Sequence, residues 1–347
     1  VALPLACTRV DEYSSASAMG SGAPCEMTGL GQIMRTGGYA THFIGKWDAG
    51  HLSWCQMPAA RGYDSFVGYL SHTIDYWTFE AEGAIRVKDL WQSSVATQDE
   101  GPALQLLNGA NCSYAQQQGC QYVDAIFETQ VYERLNTHNM SRPLFLFWSL
   151  HANHDPIQPP DDVLEELDQM PHSRRSAACF PSKQTCSSDA GSFCTQFRRH
   201  LARVYDMDSR IGRVVKQLRR SAMWDNTLLV LSSDNGAPAP GPGSNWPLSG
   251  SKDTFWEGGI RVPAFVSGGY LPAEKRGTVI DGMIAGWDWY ATFAKLANVN
   301  PYDHLAKAAG LPEIDSVDVW PLVAGLRNGT SRPRDVVFIA APTGWTG

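Results

Sequence analysis

Tyr39-Ala-Thr-His-Phe-Ile-Gly-Lys-Trp47 reads as a strand, and the segment just before it reads as a helix. In that segment, residues 26–38, Leu30, Ile33 and Met34 recur at helical spacing and Gly37-Gly38 supplies the stop. Helix then strand is the repeating half of a βαβ unit. The order recurs. Residues 121–138 set Val123, Ile126, Phe127, Val131 and Leu135 on one face, and Pro143-Leu-Phe-Leu-Phe-Trp-Ser-Leu150 follows. So apolar a run suits a strand buried on both faces. Phe197, Leu201, Val204, Ile211, Val214, Val215 and Leu218 mark a long amphipathic helix, with Thr227-Leu-Leu-Val-Leu-Ser-Ser233 as the strand after it. Residues 262–267 read as a further strand and 285–297 as a further helix. The alternation predicts an α/β fold: a mostly parallel central sheet flanked by helices on both faces.

Composition agrees. The 347 residues are 43% hydrophobic and 18% charged, with a formal charge of −7. That supports a sizeable core and excludes wholesale disorder. The acidic balance argues against a nucleic-acid partner, which needs a basic face. No apolar run reaches the ~20 residues of a membrane-spanning helix. Nothing resembles a linker, so residues 1–347 are expected to form a single domain. Residues 169–195, with Cys179, Cys186 and Cys194, read as a disulfide-pinned surface insertion.

Eight cysteines accompany three N-glycosylation sequons, beginning at Asn111, Asn139 and Asn328. Together they favour the secretory pathway, hence an extracellular or lysosomal protein. The chain starts at Val1 and shows no signal peptide. The joint expectation is a processed or incomplete chain.

Three strands end in chemically capable residues. The first ends at Lys46-Trp47-Asp48, the second at His151-Ala-Asn-His154-Asp155, the third at Asp234-Asn235. In an open parallel sheet such ends share the carboxyl edge, where ligands bind. Asp234 and Asn235 are hard oxygen donors, suited to Ca²⁺ or Mg²⁺. Lysine and histidine beside such an ion would hold a tetrahedral oxyanion. The set suggests hydrolysis of a sulfuryl or phosphoryl ester. Each piece alone has a plainer reading. Asp-Asn-Gly is a common turn, and a lysine after a strand is usually a solvated end. The Gly- and Pro-rich loop 236–250 is long enough to be functional.

Several stretches occur in one order: Gly37 to Trp47, Arg61-Gly-Tyr-Asp-Ser-Phe-Val-Gly-Tyr69, His154-Asp-Pro-Ile-Gln158, Ser233-Asp-Asn-Gly236, and Asn245-Trp-Pro-Leu-Ser-Gly-Ser-Lys252 running into Trp256-Glu-Gly-Gly-Ile-Arg261. Asp288-Trp289 and Asp318-Val-Trp320 follow. In this set the chain resembles the sulfatase family, most closely its arylsulfatase B-like branch. The resemblance implies an alkaline phosphatase/sulfatase-like fold and cleavage of sulfate esters, on a sulfated carbohydrate or an aryl sulfate. It implies catalytic and substrate-binding roles for Lys46, His154 and Lys252, and Ca²⁺ ligation by Asp234 and Asn235.

Three departures accompany it. The family's formylglycine nucleophile arises in a Cys-x-Pro-Ser-Arg motif. Cys7-Thr8-Arg9-Val10-Asp11 lacks the Pro and the Ser. The family's Asp-Asp pair on an earlier strand has no match, because Asp161-Asp162 follows Pro159-Pro160 and reads as an exposed helix start. The expectation is a chain cut at both ends, with the formylglycine upstream, a C-terminal subdomain largely absent, and no activity in this segment alone. Finally, the family's Gly-Lys-Trp-His is here Gly45-Lys46-Trp47-Asp48. A carboxylate there would repel bound sulfate unless protonated or turned away. His51 is a candidate substitute. Two other readings stay open: a phosphodiesterase or phosphatase of the same superfamily, and a non-catalytic binder of sulfated glycans. The helix-then-strand topology also predicts a Cys25–Cys55 disulfide, and the short polar loop between Cys112 and Cys120 predicts a second.

Overall fold

A computed structural model describes residues 22–82, 87–170, 191–326 and 333–339. Five strands form the central sheet: β1 (Ala40–Lys46), β2 (Ser65–Tyr69), β3 (Trp91–Ser94), β4 (Asp99–Pro102) and β5 (Leu144–Ser149), in the order β4-β3-β2-β1-β5. β1 runs parallel to both β2 and β5, while β3 and β4 are antiparallel additions. The sheet is therefore mixed.

Two-residue alternation sorts β1 and β5 between two cores. Ile44 of β1, with Leu144, Leu146 and Trp148 of β5, packs against helix α2 (Val123–Thr137) and helix α4 (Phe193–Arg220). Phe43 turns to the other face, where its ring stacks on Phe147 at 4.8 Å. On that face Phe145 meets helices α1 (Leu30–Thr36) and α6 (Asp288–Leu296) through Ile33, Met34, Tyr290 and Ala294. Helices thus cover both faces, as expected. Gly45 has φ 107, and a Cβ on it would overlap the Ser149 carbonyl, so β1 and β5 approach as closely as glycine allows.

α2 and α4 are clamped by charge. Arg210 donates to Glu128 at 2.7 Å and to Asp206 at 2.8 Å, and Arg213 grips Glu128 with two bonds of 2.6 and 2.8 Å. Glu128, Arg210 and Asp206 are buried, Arg213 reaches in from the surface, and its bidentate grip fixes geometry as well as energy.

Other expectations need adjustment. The first helix starts at Leu30, because Asp303 takes the Thr28 backbone N–H at 2.6 Å and its hydroxyl at 2.8 Å, anchoring that turn elsewhere. β5 is not buried on both faces: it is the outermost strand described, and Phe147 is 39% exposed. The strand expected at 227–233 is β6 (Leu229–Ser232), and it lies outside the central sheet, paired antiparallel with β7 (Ala264–Ser267). The 169–195 insertion is bounded by helix α3 (Asp161–Gln169) and by α4, whose first turn contains Cys194. Cys179 and Cys186 lie outside the described residues. Asp161 and Asp162 are exposed in the first turn of α3, as read from sequence. The Cys25–Cys55 and Cys112–Cys120 disulfides both form, with Cα separations of 5.5 and 5.7 Å. Asn111 and Asn139 are exposed, and Asn328 lies outside the described residues. No described helix is long and apolar enough to cross a membrane.

Candidate active site

Because β1 and β5 are parallel neighbours, Lys46 and the loop after Ser149 emerge on one edge. That loop is held from beneath. His151 is 1% exposed; its Nε2–H donates to the Ile74 carbonyl at 2.8 Å, and its Nδ1 accepts from the Tyr69 hydroxyl at 2.7 Å. Burial lowers the His151 imidazole to about 3, so it is neutral and its two bonds fix that tautomer. The Tyr76 hydroxyl spans the His151 and His154 carbonyls at 3.0 and 2.9 Å. Beneath Tyr76 lies the buried Arg203, its guanidinium 4.3 Å from the ring centroid and bonded to the Pro156 carbonyl at 3.2 Å. His151 is a scaffold, and His154 is the histidine presented to the cleft.

His154 Nδ1–H donates to the Asp155 carbonyl at 2.9 Å, which leaves Nε2 to accept from Lys252 Nζ at 3.3 Å. Burial and the nearby Lys252, Lys46 and His72 lower its pKa, so the neutral form dominates near pH 7. Lys252 arrives from the far side. Its loop folds back on itself: Asn245 bonds both the N–H and the C=O of Ala237 at 2.8 and 2.9 Å, and Lys252 N–H donates to Ala237 O at 3.0 Å. A Cβ on Gly236 would overlap the Gly258 carbonyl, which explains a glycine there. So Lys46, His154 and Lys252 converge from three separate chain segments.

Asp48 and His72 complete the cluster. Asp48 Oδ2 lies 3.2 Å from Lys46 Nζ and 3.0 Å from His72 Nδ1, and Lys46 Nζ is 3.3 Å from His72 Nδ1. Burial opposes charge on Asp48, but the His72 hydrogen bond and Lys46 win and hold its carboxyl below the usual range. The His72 and His154 rings meet edge to face at 5.2 Å. His51 is exposed, so it is not the imidazole that meets Asp48. Sequence reading missed His72 because it lies in the loop after β2, a strand not recognised from the sequence.

Asp234 and Asn235 follow β6. Asp234 is exposed, and Asn235 is half-buried. Asp234 Oδ1 accepts the Asn235 backbone N–H at 2.8 Å, and the Asn235 amide donates to the Gly236 carbonyl at 3.0 Å. Asp234 is one of four carboxylates whose charge, after burial, raises the Tyr69 phenol. The donor type suits Ca²⁺. Two side chains fall short of the six to eight oxygens that Ca²⁺ takes. Among the described residues, no group of three or more His, Cys, Asp or Glu could hold a metal.

A sequence model of the Sulfatase family matches residues 4–299. The chain belongs to the sulfatase family. Arylsulfatase J of Mus musculus is 30% identical over 314 residues, covering 88% of this chain and 44% of the relative. N-acetylgalactosamine-6-sulfatase of Sus scrofa is 27% identical, covering 84% of this chain and 48% of the relative. This sulfatase-family chain thus spans about half the length of the curated relatives it matches. Ps i-CgsB in complex with k-i-k-neocarrahexaose shares its fold, with a TM-score of 0.66 at 20% identity, over 89% of this chain and 60% of that one. PsFucS1 sulfatase from Pseudoalteromonas sp. does so at 0.64 and 20%, over 90% and 57%. The expected sulfatase-like α/β fold is confirmed.

In that setting Asp288 and Asp318 have structural roles. Buried Asp288 accepts from Ala285 N–H at 2.8 Å and Val317 N–H at 3.0 Å, and is gripped by Arg334. Asp318 caps Trp320 N–H at 2.9 Å.

Proposed function

We propose that this chain forms part of the catalytic domain of a sulfuric ester hydrolase acting on sulfated carbohydrates. The observation that carries the reading is the meeting of Lys46, His154 and Lys252 at one sheet edge in a chain of this family. Two ammonium groups and an imidazole offer a mobile but concentrated positive cradle for a monoanionic tetrahedral ester. Lys46 and Lys252 bind its oxygens and offset charge that develops as the S–O bond breaks. His154 begins neutral, with Nε2 as an acceptor. A bound anion counters the lysine charges that lower its pKa, returning it toward the range where it can donate a proton to the leaving oxygen.

Asp234 and Asn235 are proposed as two Ca²⁺ ligands, and no step is routed through the ion. The nucleophile would be the family's formylglycine, whose usual motif this sequence does not carry. A carbohydrate substrate is supported by two names: one relative is an N-acetylgalactosamine-6-sulfatase, and Ps i-CgsB was solved with k-i-k-neocarrahexaose. The paired cysteines and the exposed sequon residues Asn111 and Asn139 favour a glycoprotein of the secretory pathway, extracellular or lysosomal.

The test uses the complete protein with sulfate and phosphate esters of one chromophore, and a sulfated oligosaccharide. Release of sulfate from the first and last is expected. Preference for the phosphate ester overturns the reading. Asp48 beside Lys46 favours one second reading, a binder of sulfated glycans. Tight binding with no turnover of any sulfate ester would establish it.

A further inference from the structure

We propose that the loop 236–250, with Trp246 as its stacking surface, is the platform for the carbohydrate ring next to the sulfated one. This rests on the carbohydrate-sulfate reading above and deepens it.

Three large aromatic side chains stand in solvent around this loop: Trp246 is 86% exposed, Phe193 68% and Trp256 66%. Single exposed apolar side chains are ordinary, but these are grouped. Trp246 and Phe193 line one open groove of about 420 Å³ together with Pro238, Gly243, Ser244 and Asn245. Gly250 borders the same groove, and a Cβ on it would overlap the Trp256 Cβ. Small-molecule sites occupy about 300–1,000 Å³, so the space suits one or two sugar rings.

The groove is rigid and continuous with the cleft. Pro238, Pro240, Pro242 and Pro247 each fix a backbone φ. Asn245 ties the loop to Ala237 and, at 3.2 Å, to the Gly250 carbonyl. The Trp246 N–H donates to Ser244 Oγ at 3.3 Å. A surface set in advance loses little entropy when a ligand docks. One wall leads to Lys252, whose backbone N–H is bonded to Ala237 O at 3.0 Å. The other leads to His154. A Cβ on Gly243 would lie 3.7 Å from the His200 ring, and that ring accepts from the side-chain amide of Asn153, the residue before His154, at 3.0 Å.

Charge decides the occupant. Residues 237–250 hold no Asp, Glu, Lys, Arg or His, whereas the cleft beside them holds two lysines. The anion belongs to the lysines, and an uncharged group belongs to the groove. An indole face with a few hydroxyl and amide groups around it suits the C–H face and rim hydroxyls of a sugar ring. A ring carrying its own sulfate would lose water there and find no cation. The ligand is therefore an oligosaccharide whose sulfated ring is followed by an unsulfated one.

Trp246→Ala tests this in the complete protein, with an oligosaccharide sulfated on one ring as substrate and inorganic sulfate as competing inhibitor. An exposed side chain adds little to stability, so the variant should keep the wild-type melting temperature. The expectation is a kcat/KM for the oligosaccharide about tenfold lower, with the inhibition constant of sulfate within about twofold of wild type. Trp246→Phe, which keeps a ring, should recover most of the loss. A loss under about twofold for the oligosaccharide overturns the proposal. So does an equal loss for both ligands, which would place Trp246 on the sulfate cradle. If Trp246→Ala unfolds, fluorine spectra of the wild type labelled with 5-fluorotryptophan decide, with Trp246→Phe assigning the resonance. A Trp246 signal that moves with the oligosaccharide and not with sulfate supports the platform. A signal indifferent to the oligosaccharide, as when the rest of the protein or a second copy covers the indole, overturns it. Wild-type protein that hydrolyses no sulfate ester but binds the oligosaccharide through Trp246 would sink the hydrolase reading and leave this one standing.

Discussion

Lys252 Nζ and His154 Nε2 meet at 3.3 Å across the cleft, so removing one must show in the other. Lys252→Ala deletes a charge that lowers the His154 pKa. The imidazole should then titrate at higher pH, visible in a histidine NMR titration. In the complete protein kcat/KM for a sulfate ester should fall about 10²–10³-fold, the usual cost of losing one charge-stabilising group. An unchanged His154 titration would show that the 3.3 Å contact is not populated in solution. Gly45 makes the second prediction at this scale. At φ 107, with the Ser149 carbonyl against it, Gly45→Ala combines backbone strain with a clash against backbone. A loss of about 3 kcal/mol is expected in urea unfolding. A loss under about 1 kcal/mol would mean that β1 and β5 separate easily. Lys46 and His154 were legible because they follow apolar runs within recognisable motifs, and Lys252 because it closes one of the motifs that carry the resemblance. His72 was not, since nothing local to Leu70-Ser-His-Thr73 marks it. Its place beside Lys46 and Asp48 comes only from the register that sets Tyr69 beside Lys46.

Among the elements, the α2–α4 clamp holds the helices whose side chains support the His151 loop. Glu128→Ala would leave Arg210, only 9% exposed, without its cross-helix partner. Asp206 still pairs with Arg210, so the loss is expected below the about 3–5 kcal/mol of a wholly unpaired buried charge, and the unfolding midpoint in urea should fall accordingly. A change within about 0.5 kcal/mol would mean that water replaces the carboxylate. Elements with strong periodicity were readable: α2, β1 and β5 lie within the ranges read from sequence, and α4 extends the helix read from Phe197 to Leu218 at both ends. β3 and β4 were not. Trp91-Gln-Ser-Ser94 has little apolar alternation, and Asp99-Glu-Gly-Pro102 combines residues depleted in strands. Their pairing is imposed by β2, whose five residues are all buried. β6 looked like a third parallel strand because its apolar run is the same in kind as that of β5. Periodicity reports burial, and it does not report which neighbour a strand pairs with.

At the scale of the molecule, buried titrating groups give the fold a pH dependence with a definite sign. Burial lowers His151 to about 3 and His42 to about 4, and raises Asp124 to about 7. As pH falls below 6.5, the unfolded chain gains protons on both histidines that the native state refuses. Over the same interval native Asp124 keeps one proton that the unfolded chain lacks. The unfolded state therefore binds more protons, and stability falls with pH between about pH 6 and 4.5. His154 and His200, lowered by burial, add to the loss, while Asp206 and Glu100, raised by burial, oppose it. Below about pH 4 the depressed carboxyls of Asp48, Glu128 and Asp303 withdraw their contributions as well. Urea midpoints at pH 7 and pH 5 check this, and an equal or higher midpoint at pH 5 would overturn it. The cleft also joins two separate sheets, since Lys46 and His154 belong to the five-stranded sheet and Lys252 to the loop after β6. The Lys252–His154 hydrogen bond already crosses this seam, and a bridging anion held by Lys46 and Lys252 would add a second tie. An occupied cleft then acts as a rivet. Sulfate at a hundred times its dissociation constant would add about 2.7 kcal/mol to the resistance of the whole fold to melting. The same ion that the cleft recognises would thus help to keep the two sheets together.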